Sequence, residues 1–94
     1  MFYGTVRARI AHQAHAAGEL NVMSTTFDAD AGTVWHTHDS DQVLILINGA
    51  GSYEDGEGVH PLRTGDVVTI PGGGRHRHLA SDGCSMTHLS ITAH

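Results

Sequence analysis

The chain contains no lysine: its five basic residues are Arg7, Arg9, Arg63, Arg75 and Arg77. Without an ε-amine there is no Schiff-base nucleophile, so imine-forming catalysis is excluded. The single cysteine, Cys84, permits neither an internal disulfide nor a multi-cysteine zinc site. It reads as a small buried hydrophobe rather than a nucleophile. With a formal charge of −5, the chain lacks the basic excess of a nucleic-acid binder, and no nucleic-acid partner is expected. Long apolar runs are missing too. Val43 to Ile47 is far short of a membrane span, so no membrane partner is expected. Met1-Phe2-Tyr3-Gly4 leads into charged residues without the apolar core of a secretory signal, and a cytoplasmic location is the default expectation.

What is present is histidine, nine in 94 residues. That length suits one domain, residues 1–94, and a hydrophobic content of 39% suits a globular fold. A chain this small buries only about 60% of its unfolded surface, so a metal ion or a second subunit would help hold it together. The pattern predicts strands at Phe2–Arg9, Leu20–Asp28, Thr33–His38 and Gln42–Asn48. Further strands are predicted at Ser52–Asp55, Val59–Arg63, Val67–Ile70, His76–Ala80 and Cys84–Thr92. Ile10–Glu19 reads as a loop or short helical turn, with His12 and His15 solvated. Turns are expected at Asp28–Gly32, Asn48–Gly51, Gly56–Gly58, Thr64–Asp66, Pro71–Gly74 and Ser81–Gly83. Val43–Ile47 is apolar throughout and is expected to be buried on both faces. Many short strands, glycine and proline turns and no convincing helix predict an all-β sandwich or barrel.

Two histidine clusters carry the chemistry. On an extended strand, His36 and His38 project to the same side. Trp35 points the opposite way, toward core or dimer packing. His76 and His78 repeat the spacing after the glycine turn, and Gln42 follows His38 across a polar turn. Three imidazole nitrogens, from His36, His38 and His76, and the Gln42 amide oxygen make a four-ligand set with positions left for water or substrate. Such a set accepts Mn, Fe, Co, Ni, Cu or Zn. Because all four ligands are neutral, a divalent ion keeps its full charge and acts as a strong Lewis acid.

Between residues 30 and 92 the sequence resembles the cupins. Gly32, His36, His38, Gln42 and Gly49 mirror their first motif in outline, with a shorter gap between glycine and histidine. Gly65, Pro71, Gly73 and His76 match every fixed position of their second motif. The resemblance implies a double-sheet jelly-roll barrel holding one divalent metal per subunit. Gln42 stands where most cupins have Glu, which is similar to the small single-domain bacterial cupin hydroxynitrile lyases with a three-His, one-Gln manganese or iron site. Phe2-Tyr3-Gly4-Thr5-Val6 and Met86-Thr87-His88-Leu89 share that pattern. It implies that His78 and His88 line the pocket beside the metal and that Met23 and Thr25 shape it. Thr92 occupies a position where a pocket Gln is frequent.

The expected function is therefore a metal-dependent lyase acting on a small molecule, cleaving a cyanohydrin to aldehyde and HCN or running the reverse. The metal would serve as Lewis acid, and His78 or His88 as general base. A cupin dioxygenase and a non-catalytic ligand-binding cupin are the alternatives. Phe2–Arg9 has no hairpin partner in the sequence pattern, so a homodimer through this N-terminal strand is expected.

Overall fold

The computed structural model describes residues 1–94, which form nine strands and no helix. In chain order they are β1 (Phe2–Tyr3), β2 (Val6–His12), β3 (Leu20–Phe27), β4 (Gly32–Thr33) and β5 (Gln42–Asp55). Then come β6 (Gly58–Arg63), β7 (Val67–Ile70), β8 (Arg77–Ala80) and β9 (Met86–Ala93). All pairings are antiparallel, and they form a nearly closed barrel from two sheets. One sheet runs β1-β4-β8-β5-β6 and the other β2-β3-β9-β5-β7. This is the all-β double-sheet barrel that the sequence predicts.

β5 belongs to both sheets. Its first half pairs with β7 and β9, and its second half with β6 and β8. The predicted turn at Asn48–Gly51 is instead a bend within this one long strand. The register against β9 shifts between Leu46 and Asn48, and Gly49 takes φ +87°. A side chain at Gly49 would collide with the Ser85 carbonyl, so only glycine lets the strand bend here. The expectation that Val43–Ile47 is buried on both faces also fails. Leu44 and Leu46 point inward and are about 1% exposed, whereas Ile47 is 44% exposed on the outer face. Period-2 alternation overrides the uniform apolar run because the inner wall of a barrel has only one side.

Three further differences lie near the N-terminus and the first motif. The predicted strand Phe2–Arg9 is split at Gly4, whose φ is +73°, and β2 runs on to His12. Nor is this strand without an intrachain partner: β2 pairs with β3 and β1 with β4, leaving the outer edges of β1 and β2 open. The predicted strand Thr33–His38 shrinks to Gly32–Thr33, after which the chain is irregular except at His36. No helix of the chain is long and apolar enough to cross a membrane.

Phe27, Ala31, Leu46, Leu62 and Met86 form the apolar core, with Val6, Tyr53, Val68 and Ala80 packed around them. Seven further side chains are buried although polar: Thr25, Thr33, Gln42, His76, His78, His88 and Ser90. So many buried polar groups in so small a domain mark part of the interior as a site rather than a core.

Candidate metal centre

His36 and His76 face each other across a single antiparallel bridge, each backbone N–H donating to the other's carbonyl at 2.9 Å. Their rings stand 4.5 Å apart, centre to centre. His36 Nδ1 lies 2.8 Å from the Val34 carbonyl and His76 Nδ1 lies 2.8 Å from the Gly74 carbonyl. A carbonyl oxygen can only accept, so both Nδ1 atoms carry the proton and both Nε2 atoms keep a free lone pair. The same local geometry, a carbonyl two residues back, sets both tautomers. A protein-held outer hydrogen bond of this kind is what orients a metal-ligating histidine.

His38 joins them, its ring 4.9 Å from His36 and 5.3 Å from His76. One ligand atom from each of the three histidines lies within 4.8 Å of the other two, a spacing suited to a shared metal ion. His36 and His38 reach this side without the regular strand predicted for them, since the bridge at His36 supplies the alignment. Gly73 N–H also donates to the His38 carbonyl at 2.7 Å, tying the two motif segments together. Trp35 points away and lies half-buried, with the Arg75 and Arg77 guanidinium groups 5.0 and 5.2 Å from its ring centre. Those cation–π contacts brace the segment from outside.

Gln42, His78 and His88 complete the walls of a cavity of about 60 Å³, together with Met23, Thr25, Phe27, Thr33, Ser90 and the N-terminal Met1 and Phe2. Each predicted site residue has a defined place here. β5 delivers Gln42, β8 carries His78 just after His76, β9 delivers His88, and β3 delivers Met23 and Thr25. In register Thr25 sits opposite His88. The His78 ring lies 5.4 Å from His36 and 5.2 Å from His88, so the imidazoles form a continuous cluster.

Six buried side-chain atoms have no hydrogen-bond partner, and all belong to this cluster: His38 Nε2, Gln42 Oε1, His76 Nε2, His78 Nδ1 and both ring nitrogens of His88. Leaving a buried polar atom unpaired costs about 1–3 kcal/mol. The concentration of such atoms in one cavity fits a site that receives a cation and a polar ligand. The donor set of neutral imidazoles and an amide oxygen fits a divalent transition metal.

The electrostatics agree. Burial depresses the His38 pKa, and the neighbouring His36 and His76 add to the shift. His76 is lowered mainly by burial, partly offset by its bond to Gly74. His78 falls to about 2 through burial and then the proximity of His88, His76, His36 and His38. His88 falls to about 4, chiefly through burial. Desolvation disfavours imidazolium, so these rings are neutral near pH 7 and can act as ligands or proton acceptors.

The remaining histidines lie elsewhere. His15 is exposed, and His12 is exposed at the end of β2 beside a second cavity of about 250 Å³. His60 stacks on Tyr53 at 4.6 Å and bonds Asp55 at 2.9 Å. Cys84 is half-buried rather than part of the core. The residue that motif reasoning overlooks is Ser90, whose hydroxyl meets the Gln42 amide nitrogen at 2.6 Å inside the cavity. Its inward parity with Met86 and His88 was the only signal in the sequence.

Residues 23–91 match the family described as Cupin domain. Over 91 residues, 96% of this chain and 70% of the relative, the sequence is 40% identical to a protein named (R)-mandelonitrile lyase from Granulicella tundricola. A cupin-like protein from Thermotoga maritima superposes with a TM-score of 0.92 at 31% identity, covering 97% of this chain and 70% of that one. A polyketide cyclase from Streptomyces resistomycificus shares the fold with a TM-score of 0.83 at 14% identity, covering 94% of this chain and 64% of that one. The barrel by itself therefore does not specify a reaction. The sequence match over most of the chain, together with the paired histidine motifs, establishes that this protein belongs to the cupin family.

Proposed function

We propose that the protein is a metal-dependent lyase that cleaves cyanohydrins to an aldehyde and HCN, or joins the two in reverse. The observation that carries this reading is the convergence of His36, His38 and His76 beside a cavity that Gln42, His78 and His88 also line. The likeness to a protein named mandelonitrile lyase supports the substrate class.

His36, His38, His76 and Gln42 would hold one divalent ion, with manganese or iron favoured by the similarity to three-His, one-Gln cupins, and it would supply a Lewis-acidic centre for a substrate oxygen. His78 or His88, neutral through burial, takes the proton of the cyanohydrin hydroxyl. The oxygen's electron pair then forms the carbonyl as the carbon–cyanide bond breaks, and cyanide leaves with that bond's electrons. The imidazolium returns its proton to cyanide, giving HCN and restoring the neutral ring. Burial keeps both rings in the neutral form, which has a free lone pair to accept the proton. Met23 and Thr25 on β3 line the cavity and shape the space for the substrate's side chain. Both rings carry an unpartnered nitrogen, Nδ1 in His78 and both nitrogens in His88, and they lie 5.2 Å apart.

In this reading the chain is one cupin domain working in the cytoplasm, in keeping with its single free Cys84. It forms a homodimer through the open edge of β2, which size-exclusion chromatography would test. The decisive experiment is HCN release from mandelonitrile by the manganese- or iron-loaded protein under anaerobic conditions. Turnover that persists without oxygen is expected. Oxygen-dependent consumption of a phenolic or dicarbonyl substrate, with no HCN released, would replace the lyase by a dioxygenase. Ligand binding without turnover would leave a binding module.

A further inference from the structure

Gln42 differs from the histidines in how it is held. An imidazole whose Nδ1 is fixed by a carbonyl presents only one lone pair, but a primary amide can rotate by half a turn and present either its oxygen or its NH2 group. Only the oxygen can face a cation. The orientation of this amide therefore decides whether it completes the site or repels what the histidines attract.

We propose that Ser90 is a positioning residue for Gln42: its hydroxyl oxygen accepts an N–H of the amide and so turns the amide oxygen toward the three imidazoles. The two side chains meet at 2.6 Å between Gln42 Nε2 and Ser90 Oγ, and both residues are buried. Gln42 Oε1 is buried and has no hydrogen-bond partner, which leaves its lone pairs available to the cavity. The sheet explains why Ser90 holds the amide. Gln42 on β5 stands directly opposite Thr92 on β9, and Ser90, two residues back, is the diagonal neighbour on the same inward face. From there its short side chain reaches the amide nitrogen and leaves the amide oxygen without a partner.

Ser90 also lines both the His-lined cavity and the adjoining one of about 250 Å³, a position shared only with Met23. It thus stands at the boundary between the ligand cluster and the space beyond it. This inference rests on the reading of the cluster as a metal centre, but the amide's orientation can be followed without any metal.

Two measurements test it. In the metal-free protein, the side-chain amide protons of Gln42 should show one hydrogen-bonded, slowly exchanging N–H by NMR. Ser90→Ala should abolish that protection, and Ser90→Thr, which keeps the hydroxyl, should restore it. For the metal, the Mn(II) dissociation constant from chelator competition should rise about 10–100-fold in Ser90→Ala, the range typical for loss of an outer hydrogen-bond partner. It should recover in Ser90→Thr, and Ser90→Ala should add nothing once Gln42 is already Ala. An unprotected Gln42 amide in the unaltered protein would overturn the proposal. So would an equal loss of affinity from Ser90→Ala with and without Gln42, since packing alone would then explain it. If the unaltered protein binds no Mn(II), Fe(II) or Zn(II), the metal reading fails, and the amide protection still decides whether Ser90 holds Gln42.

Discussion

The inside of this barrel has two unlike ends. At one, Phe27, Ala31, Leu46, Leu62 and Met86 pack against one another in the ordinary manner of a core. At the other, four histidines and a glutamine carry six buried polar atoms without partners. Phe27 belongs to both, a core residue that also lines the cavity, with its ring 5.2 Å from the His88 ring. β5 and β9 run through both ends, contributing Leu46 and Met86 to the first and Gln42 and His88 to the second. The difference teaches that stability and chemistry are separated along the same strands. One end supplies the burial that holds the fold, and the other spends part of that stability on groups that only a ligand satisfies.

Removing a ligand from the polar end should produce the largest effect. His76→Ala takes away one of three converging imidazoles, and divalent-metal affinity should fall by more than the roughly 10–100-fold that loss of an outer partner costs. Chelator competition measures this, and unchanged affinity would remove His76 from the site. His78→Ala should lower cyanohydrin turnover about 10²–10⁴-fold, the usual worth of a positioned general base, while metal content stays near that of the unaltered protein. Loss of metal instead would make His78 a ligand. At the apolar end, Leu46→Ala should cost about 2–5 kcal/mol in urea unfolding and leave metal affinity intact. If metal affinity fell as sharply as stability, the two ends would be energetically one unit.

How much of this division was legible beforehand differs between the ends. The histidine motifs announced the polar end, although the segment carrying His36 and His38 is irregular and the bridge at His36, rather than strand parity, aligns it. The glycine turn before His76 was equally readable. What stayed hidden depends on contacts between distant strands. Nothing local ties Gln42 to Ser90, 48 positions apart, and no periodicity reveals that β5 bends at Gly49 to serve two sheets. The apolar run Val43–Ile47 misled for the same reason, since its outer residues share the composition of its inner ones and only closure of the barrel distinguishes them.

A pH series sharpens the comparison from the stability side. His88 is neutral in the fold, with its pKa lowered from 6.5 to about 4 by burial, whereas in the unfolded chain it titrates near its ordinary value. The unfolded state therefore binds the proton first, and its contribution to stability, complete above about pH 6.5, is lost as the pH falls toward about 4. His88→Leu removes the titrating group and two unpartnered nitrogens while keeping an apolar side chain beside Phe27. The metal-free variant should match or exceed the unaltered protein in Tm at pH 7 and should lose less of it at pH 4.5. A parallel decline in both proteins would show that the acid sensitivity arises elsewhere.

The smallest effect is expected from the outer wall immediately behind the site. Arg77 lies between His76 and His78 in the chain but points outward, where it pairs with Glu54 at 2.6 Å and lies over Trp35. The pair is partly exposed, with side-chain exposures of 34% for Arg77 and 23% for Glu54, so solvent screens much of its attraction. Arg77→Ala should cost no more than about 1 kcal/mol in unfolding. Metal affinity should hardly change, because the His76 ring is oriented by the Gly74 carbonyl and the His36 bridge rather than by Arg77. Should affinity fall tenfold at nearly constant stability, the brace of Arg75, Trp35 and Arg77 would be part of what aligns the histidines. The division between scaffold and site would then run through the strand wall instead of along its inner face.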